Sequence, residues 1–420
     1  MKTFSKTYKN GLRLVLEQKD TDVVSSNILF FVGSENESKE EEGFSHFIEH
    51  MIFKSSENYS TEEINDKFTF YGADYNAYTS KTATRFIFKC LKENFEPCFE
   101  IYSDLLIRPK FDEEEMNKER NVVVEEMKKC EDDPVQVMYQ RVMDNYFAGL
   151  SCAHDELGNE ETIMSVSRET LLAYKNKFYQ ANNCIISVVG NIEFDELDRI
   201  VEKYFSSCFD YESKHYNLNK EKIQENIIKK YDTINRDDNQ ANVCIHIKSS
   251  SCFDEDNIAG NLYVSILGSS QNSRLFKRIR EDLGLVYTIY AFADAGARKG
   301  EILIIFGTRP KNIKQAMTEV KKVIKDLAEN GVSEDELQRA KNWKKSCHAF
   351  AWESSSDIAE ANGTSEHLYE KILSRAERLE RVEKVTKKEV DEFAKKIANE
   401  TVFNVVAVGK NLNLADLEVF

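Results

Sequence analysis

Apolar residues recur along this chain with two different spacings, which predict strands and helices in alternation. Short apolar runs typical of strands lie at residues 12–17, 25–32 and 84–90, and again at 242–248, 286–293 and 300–307. Longer amphipathic segments, such as residues 112–130, have apolar positions three and four apart and predict helices. We therefore predict an α+β fold, in which helices pack on sheets.

The pattern of elements occurs twice. Ser167 and Thr386 each begin a predicted helix that is followed by a buried strand, and a glycine follows both caps at the same distance. Asp112 and Ser333 begin another pair of helices, and the separation within this pair nearly equals that between Ser167 and Thr386. Because distant landmarks keep nearly the same offset, we predict two homologous domains that arose from an internal duplication.

The length of the chain agrees with two domains, since 420 residues exceed the usual size of one. The boundary is expected in the charged stretch near residues 210–228. This predicts an N-terminal domain of residues 1–215 and a C-terminal domain of residues 228–420.

Composition narrows the possible environments and partners. Hydrophobic residues make up 41% of the chain and charged residues 31%, which is typical of a globular protein in water. The net charge of −16 argues against a nucleic-acid partner. We expect no membrane association, because no apolar run suits a membrane helix or a signal peptide. The nine cysteines lack a C-x-x-C spacing, which favours reduced thiols and a cytoplasmic location.

The segment with the most specific chemistry is an H-x-x-E-H sequence formed by His46, Glu49 and His50. On a helix, the two histidines can hold one divalent metal, and the glutamate can activate a metal-bound water. The three side chains fall on one side of the predicted helix, opposite an apolar side. The apolar side consists of Phe44, Phe47, Ile48, Met51 and Ile52. The alternative is an amphipathic surface helix whose histidines bind nothing.

Catalytic zinc usually has three protein ligands, and the predicted helix at residues 112–130 is the best source of the third. Glu119 and Glu126 lie within its apolar face, whereas Glu125 points to solvent. Carboxylates in an apolar stripe are costly unless a metal or a cation satisfies them. With a metal on the two histidines, Glu126 becomes the expected ligand, and Glu119 orients a ligand or shares a proton. Alternatively, both glutamates lie at the rim of the face and reach water.

This set of residues resembles the pitrilysin/insulinase family of inverzincin zinc metallopeptidases, in particular its two-domain branch, which includes the mitochondrial processing peptidase. The similarity extends over nearly the whole chain, and the spacing from the second histidine to Glu126 is part of it. Its most similar segments are residues 43–54, 76–79, 157–158 and 188–191.

The resemblance implies two homologous α+β halves that close like a clamshell around a peptide, with one zinc ion per chain. By this analogy the two histidines and Glu126 bind zinc, and Glu49 is the general base. Asn76 and Ala77 would lie on an edge strand that binds the substrate by pairing with its backbone.

The second half is expected to bind no metal, because Cys347 stands where the duplication places the counterpart of Glu126. By the resemblance, its contribution is Arg280 and Tyr287, which match the family's Arg/Tyr pair that reaches the scissile peptide. Their donors would stabilise a developing oxyanion. Without the resemblance, Arg280 would be interpreted as a solvated helix charge and Tyr287 as a half-buried strand residue.

Two positions depart from the family's usual pattern. Thr82 stands where relatives commonly have an acidic residue, and the proline that usually follows His154 is missing. Both departures bear on substrate preference and loop shape more than on catalysis. The remaining histidines lack ligand-like partners at helical spacing and are interpreted as structural or surface residues; they are His154, His215, His246, His348 and His367.

The sequence therefore predicts a zinc endopeptidase or oligopeptidase that hydrolyses unfolded peptides inside a closed chamber, as a homodimer or with a related subunit. In the expected mechanism, Glu49 takes the proton of a zinc-bound water and passes it to the leaving amine. The competing hypothesis is a non-catalytic or partner-dependent subunit of a heteromeric processing peptidase. Non-catalytic subunits are expected to lose zinc ligands or the Arg/Tyr pair, and this chain keeps both.

Overall fold

Two β-sheets with matching strand orders organise the chain, as seen in a computed structural model that describes residues 2–419. The strands of the N-terminal half are β1 (Lys2–Thr7), β2 (Arg13–Gln18), β3 (Val23–Phe30), β4 (Asp74–Thr79), β5 (Thr84–Leu91) and β6 (Cys184–Gly190). Its α-helices are α1 (Phe44–Ile52), α2 (Thr61–Phe70), α3 (Phe95–Ile107), α4 (Glu113–Asp132), α5 (Pro134–Tyr146), α6 (Glu160–Ser165), α7 (Arg168–Phe178) and α8 (Phe194–Tyr204).

The C-terminal half contains a similar succession. Its strands are β7 (Tyr231–Asn235), β8 (Ala241–Lys248), β9 (Val286–Ala295), β10 (Gly300–Thr308) and β11 (Phe403–Gly409). Its α-helices are α9 (Asn257–Gly268), α10 (Ile313–Asn330), α11 (Glu334–Ala351), α12 (Ser355–Tyr369), α13 (Arg375–Lys384) and α14 (Lys387–Ala398), with a π-helix at Phe276–Asp282. Short 3-10 helices lie at Ser34–Asn36, Lys39–Glu41, Lys92–Asn94, Ser151–Ala153, Ala181–Asn183, Ser206–Cys208, Pro310–Asn312 and Leu414–Asp416.

The topology of the two sheets confirms the duplication. The first sheet has the order β1-β2-β6-β3-β5-β4, and the second has the order β7-β11-β8-β10-β9. In each sheet one pair is parallel, β2 with β6 and β7 with β11, and the other neighbours are antiparallel. The five strands of the second sheet therefore repeat the first sheet from β2 to β4. The fold is α+β with two homologous domains, as predicted.

Two helices are exchanged between the compact units of the chain. The first unit comprises residues 1–128, 154–218 and 349–373, and the second comprises residues 129–153, 219–348 and 374–420. Helix α5 of the N-terminal half thus belongs to the second unit, and α12 of the C-terminal half belongs to the first. The predicted division into residues 1–215 and 228–420 follows the order of the chain but does not include this exchange.

The exchanged helices explain why the central strands β6 and β11 are buried along their whole length. In the first unit, Ile358 and Ala359 of α12 pack against Val189 of β6. In the second unit, Met138 and Val142 of α5 pack against apolar side chains of β8, β10 and β11. A fully buried side chain of this size contributes about 1.5–3 kcal/mol to stability, so each exchanged helix is firmly attached to its sheet.

The predicted elements agree with the observed ones to within a few residues at their ends. All six strands listed from the apolar runs are present, and the helix predicted at residues 112–130 is α4. The hydroxyls of Ser167 and Thr386 cap α7 and α14 as expected, and Thr386 forms its capping box with Glu389. Within residues 2–419, no helix has both the length and the apolar content that crossing a membrane requires.

Candidate metal centre

Helix α1 begins at Gly43, a position at which any residue with a side chain would be strained. Gly43 has φ +90°, and a Cβ atom added to it would lie 2.6 Å from the carbonyl oxygen of Leu157. The carboxylate of Glu37 accepts hydrogen bonds from the backbone N–H groups of Gly43 and Ser45, at 2.8 and 2.7 Å. A carboxylate at this position satisfies the free N–H groups of the helix and suits its dipole. The start of α1 is therefore held in place.

The two sides of α1 differ as predicted. Phe47, Ile48, Met51 and Ile52 are fully buried in the core of the first unit. The other side carries His46, Glu49 and His50, which face helix α4 and strand β4. His46 is only 8% exposed and therefore is not a surface side chain, whereas metal binding by the two histidines stays a prediction.

His46, His50 and Glu126 form an open set of donors, whose ligand atoms all lie within 4.8 Å of one another. Oε2 of Glu126 lies 3.8 Å from Nε2 of His46 and 3.7 Å from Nε2 of His50. Tetrahedral zinc with ligand distances of about 2.0–2.1 Å separates its donors by roughly 3.3 Å. The three atoms therefore need only a small contraction to surround one ion. Among residues 2–419 this is the one trio of His, Cys, Asp or Glu side chains with donor atoms so close together.

The protonation states expected for these groups suit a metal. Burial, with a smaller contribution from the neighbouring His50, lowers the pKa of His46 to about 3. His46 is therefore neutral at ordinary pH, as a metal ligand must be. Its Nδ1 atom is buried without a hydrogen-bond partner in the described structure. Nitrogen and carboxylate donors in a set of three are those typical of catalytic zinc.

Glu119 contacts His50 instead of joining the open donor set. Its Oε2 lies 3.0 Å from Nδ1 of His50, and its Oε1 lies 2.5 Å from Nζ of Lys54. Burial raises the pKa of Glu119, but its bonds to His50 and Lys54 outweigh burial, so that its pKa lies below the usual range. With the proton of His50 on Nδ1, its Nε2 lone pair is free for a metal.

Glu49 is held next to the donor set by strand β4. The hydroxyl of Thr79 donates a hydrogen bond of 2.6 Å to Oε2 of Glu49. Burial raises the pKa of Glu49, whereas the hydrogen bond from Thr79 and the nearby His50 lower it. A carboxylate with a raised pKa, oriented by a fixed donor, is suited to accept and return a proton.

Helix α4 has the orientation that its sequence pattern predicts. Met116, Glu119 and Val123 are buried, whereas Glu125 is exposed and pairs with Lys128. The buried guanidinium of Arg120 donates to the backbone carbonyl oxygens of Ile163 in α6 and of Val166 at its end. The alternative that both glutamates lie at the rim is wrong for Glu119, whose side chain is 9% exposed, while Glu126 is 41% exposed at the mouth of the set.

Asn76 and Ala77 lie on β4, which is the edge strand of the first sheet. Asn76 is exposed, and its side-chain oxygen accepts a hydrogen bond of 2.9 Å from the N–H of Ala77. Its backbone carbonyl accepts a hydrogen bond from the hydroxyl of Tyr102. An extended peptide that pairs with this edge would compete with the Asn76 side chain for the Ala77 N–H group.

Arg280, Tyr287 and Cys347 belong to the second unit. Arg280 is exposed at the end of the π-helix and lies over the ring of Phe276. Tyr287, on the edge strand β9, is 75% exposed and not half-buried. Cys347 is partly buried on α11.

Three residues that support the site were not assigned a role from the sequence. Thr79 and Lys54 lie in segments that resemble the family, but helical or strand spacing cannot show that they contact Glu49 and Glu119. Glu37 is buried, but it lies in an acidic segment of the sequence. Nothing in the spacing of that segment separates Glu37 from the other glutamates. Each contact depends on how separate elements pack.

The fold and the donor set together define the class of protein, a two-domain α+β protein with an H-x-x-E-H candidate metal centre in its first domain. The chain belongs to the insulinase family, also described as peptidase family M16. Residues 13–156 match the model of the insulinase (peptidase family M16) domain, and residues 165–343 match the model of the peptidase M16 inactive domain.

Relatives of similar length support this assignment. The chain is 31% identical over 398 residues to the "uncharacterized zinc protease YmxG" of Bacillus subtilis, covering 94% of this chain and 95% of the relative. It is 28% identical over 407 residues to an "uncharacterized zinc protease" of Rickettsia bellii, covering 96% and 97%.

Two solved structures share the fold at low sequence identity. A protease from Helicobacter pylori is 21% identical with a TM-score of 0.88, covering 97% of this chain and 99% of that structure. A peptidase M16 inactive domain from Pseudomonas fluorescens is 19% identical, also with a TM-score of 0.88, covering 98% and 99%. At these identities the likeness concerns the fold alone.

Proposed function

We propose that this protein is a zinc-dependent endopeptidase or oligopeptidase that hydrolyses unfolded peptides. The observation that carries the proposal is the open trio of His46, His50 and Glu126 with Glu49 beside it. The names of the relatives, which call them zinc proteases, support zinc as the metal and peptides as the substrates.

Zinc bound by the trio would polarise the scissile carbonyl and lower the pKa of a water molecule. His46 and His50 would supply nitrogen donors, and Glu126 would supply one oxygen and a negative charge. Helix α1 holds both histidines on one rigid element, so two of the three donors are placed before any metal binds.

Glu49 acts as the general base and then as the general acid. Its carboxylate accepts the proton of the attacking water and returns it to the leaving amine. Burial disfavours its charged form and so makes the carboxylate a stronger base, while the Thr79 hydroxyl keeps it in one orientation. Such a proton transfer contributes about 10²–10⁴-fold to the rate.

Strand β4 would bind the substrate as an added strand. Asn76 and Ala77 belong to this edge strand, and Thr79 of the same strand contacts Glu49. A peptide paired with β4 would therefore pass close to the general base. Backbone pairing selects extended chains without requiring a particular sequence, which agrees with unfolded peptides as substrates.

Arg280 and Tyr287 are proposed to stabilise the oxyanion that forms on the scissile carbonyl. Their exposure and their match to the family's Arg/Tyr pair support this role. A guanidinium and a phenol hydroxyl both donate hydrogen bonds to a developing negative charge.

Metal content and peptide cleavage of the wild type and of Glu49→Gln test the proposal. We expect both proteins to hold about one zinc ion per chain, and the variant to cleave at least about 100-fold more slowly, as expected for loss of a general base. The matched control is Glu125→Gln, which removes an exposed carboxylate of α4 and leaves cleavage unchanged. A wild type that cleaves no peptide would contradict the proposal and favour a non-catalytic or partner-dependent subunit.

Two further parts of the proposal rest on the sequence. A homodimer is expected, and size-exclusion chromatography with light scattering would measure its mass; a stable monomer or a heterodimer would contradict it. A cytoplasmic location follows from the absence of a cysteine pairing pattern, and fractionation of cells would test it.

A further inference from the structure

Lys54 lies two residues beyond the end of α1 and contacts the metal centre only through another side chain. Its Nζ lies 2.5 Å from Oε1 of Glu119, and Oε2 of the same carboxylate lies 3.0 Å from Nδ1 of His50. The carboxylate of Glu119 thus connects a lysine on one side with a ligand histidine on the other.

We propose that Lys54 is a positioning residue that increases the affinity of the centre for zinc by fixing Glu119 against His50. This inference rests on the proposed zinc site. Lys54 touches neither the substrate nor the three donor atoms in this role. It holds the carboxylate that orients one of them.

The burial of Glu119 explains why its carboxylate needs a second partner. Its side chain is 9% exposed, so water cannot readily replace a missing ion pair. When a buried carboxylate loses one of its partners, either it moves and pairs with another group, or its unpaired oxygen destabilises the folded protein. Glu119 lies two helical turns before Glu126 on α4, so a displaced Glu119 could turn its carboxylate toward the donor set. The pairing with Lys54 prevents this and keeps Oε2 directed at His50.

The main chain around Lys54 does not depend on its side chain. The N–H of Lys54 donates to the carbonyl of Met51 at 3.2 Å, and its carbonyl accepts a hydrogen bond from the hydroxyl of Thr61. A substitution at Lys54 therefore removes the cation and leaves these backbone bonds in place.

Zinc affinity measured by competition with a chromophoric chelator tests the inference. We expect Lys54→Met to bind zinc about 10–100-fold more weakly than the wild type, the loss usual for partners that orient a metal ligand. Lys54→Arg keeps a cationic donor and should recover most of the affinity. The matched control is Lys118→Met, one residue before Glu119, because Lys118 pairs with Glu114 and Glu115 on the exposed side of α4. This control should bind zinc as tightly as the wild type.

A double variant shows whether Lys54 acts through Glu119. Lys54→Met combined with Glu119→Gln should bind zinc no more weakly than Glu119→Gln alone, because the carboxylate that Lys54 positions is already absent. The absorption spectrum of the cobalt-substituted protein should change in Lys54→Met and stay unchanged in Lys118→Met, as expected for an altered ligand geometry. Lys54→Gln replaces Lys54→Met if thermal unfolding of the metal-free protein shows that the methionine variant does not fold.

The outcomes separate this inference from the proposed function. A wild type that binds no zinc overturns both. A wild type that binds zinc, together with a Lys54→Met variant of equal affinity, overturns only the role of Lys54. Independent, additive losses in the double variant also overturn it, since they would mean that Lys54 affects the site by another route.

Discussion

The two halves of this protein have matching strand orders but arrange their clusters of histidine and glutamate in opposite ways. In the first domain, Glu126 lies 3.7–3.8 Å from its two histidines, which leaves room for a cation among the three donors. In the second domain, buried Glu301 lies 3.1 Å from His246 and 3.2 Å from Lys299. His246 and Lys299 therefore lie close enough to compensate the charge of Glu301. The comparison teaches that a metal centre requires donors whose charges are left uncompensated by the protein, and not merely acidic residues and histidines in proximity.

The helices that correspond to α1 and α4 show how the second domain differs at the equivalent place. Helix α9 follows β8 as α1 follows β3, and it is buried with mostly apolar side chains. When the starts of α4 and α11 are aligned, as the duplication implies, Glu119 corresponds to Ala340 and Glu126 to Cys347. The second domain has helices at the same places in its chain order but lacks the donors, in agreement with its match to the M16 inactive domain.

The largest expected effect is the loss of zinc on substitution of His50 in the first half, compared with substitution of His246 in the second half. His50→Ala should bind less than a tenth of one zinc ion per chain and lose peptide cleavage, because it removes a donor itself and should cost more than the roughly 10–100-fold caused by loss of an orienting partner. His246→Gln should keep one zinc ion per chain but lower the free energy of unfolding by about 1–3 kcal/mol, because Glu301 loses a buried partner. Metal analysis and denaturant unfolding measure both. Full zinc binding by His50→Ala would break the comparison.

A smaller effect is expected from the residues that the second domain is proposed to contribute. Tyr287→Phe and Arg280→Met should each lower kcat by about 10²–10³-fold, the usual cost of losing one oxyanion donor. Neither change should alter zinc content, since neither residue belongs to the donor set. Tyr290→Phe is the control, because Tyr290 is also an exposed tyrosine of β9. Equal kcat values for Tyr287→Phe and Tyr290→Phe would contradict a catalytic role for the second domain.

The smallest effect concerns the pH at which each half begins to lose stability. In the first unit, burial, together with Arg13 and Arg85, lowers the pKa of His367 to about 3. The unfolded chain takes up this proton near pH 6.5, whereas the folded chain does not, so stability falls as the pH decreases from 6.5 toward 3. In the second unit, burial raises the pKa of Glu301, but His246 and Lys299 outweigh it and lower the pKa to about 2. Its contribution is therefore complete above pH 4.5 and is lost as the pH falls toward 2.

Substitutions of His367 and Glu301 measure separately the pH range in which each residue changes the stability. His367→Phe keeps the stacking on Phe31, whose ring centroid lies 3.5 Å from that of His367. Between pH 6.5 and 5, the free energy of unfolding of this variant should fall less steeply than that of the wild type, by up to about 1.4 kcal/mol per pH unit. For Glu301→Gln, the free energy of unfolding should change with pH as steeply as that of the wild type between pH 6.5 and 5. The two slopes should differ only below pH 4.5. The protein is first freed of metal with a chelator, so that release of metal does not contribute to the pH dependence of stability. A His367→Phe variant with the slope of the wild type would contradict the assignment.

Much of the fold could be predicted because each half repeats strong local signals. The apolar runs of β3, β5, β8 and β10, and the caps at Ser167 and Thr386, depend on residues close together in the sequence. The exchange of α5 and α12 could not be predicted in this way. Both helices have apolar faces, and an apolar face shows that a helix packs without showing which sheet it packs on.

In the candidate site, too, features within one helix could be predicted from the sequence, whereas contacts between separate elements could not. The H-x-x-E-H spacing and the heptad separation of Glu119 and Glu126 are properties of single helices, so the donors and their faces could be predicted from the sequence. The contacts of Lys54 with Glu119 and of Thr79 with Glu49 join elements that are distant in the chain. Their distances arise only when α1, α4 and β4 pack together.

The sequence by itself determined which residues have the chemistry of a metal centre and that this chemistry occurs in one half of a duplicated chain, because donor type and helical spacing are local properties. Only the tertiary structure decided the distances within the donor set, the contacts of Lys54 with Glu119 and of Thr79 with Glu49, and which helix covers each sheet. These outcomes depend on burial and on distances between elements that sequence spacing does not contain. The same packing leaves a gap between Glu126 and its histidines, and places His246 and Lys299 beside Glu301.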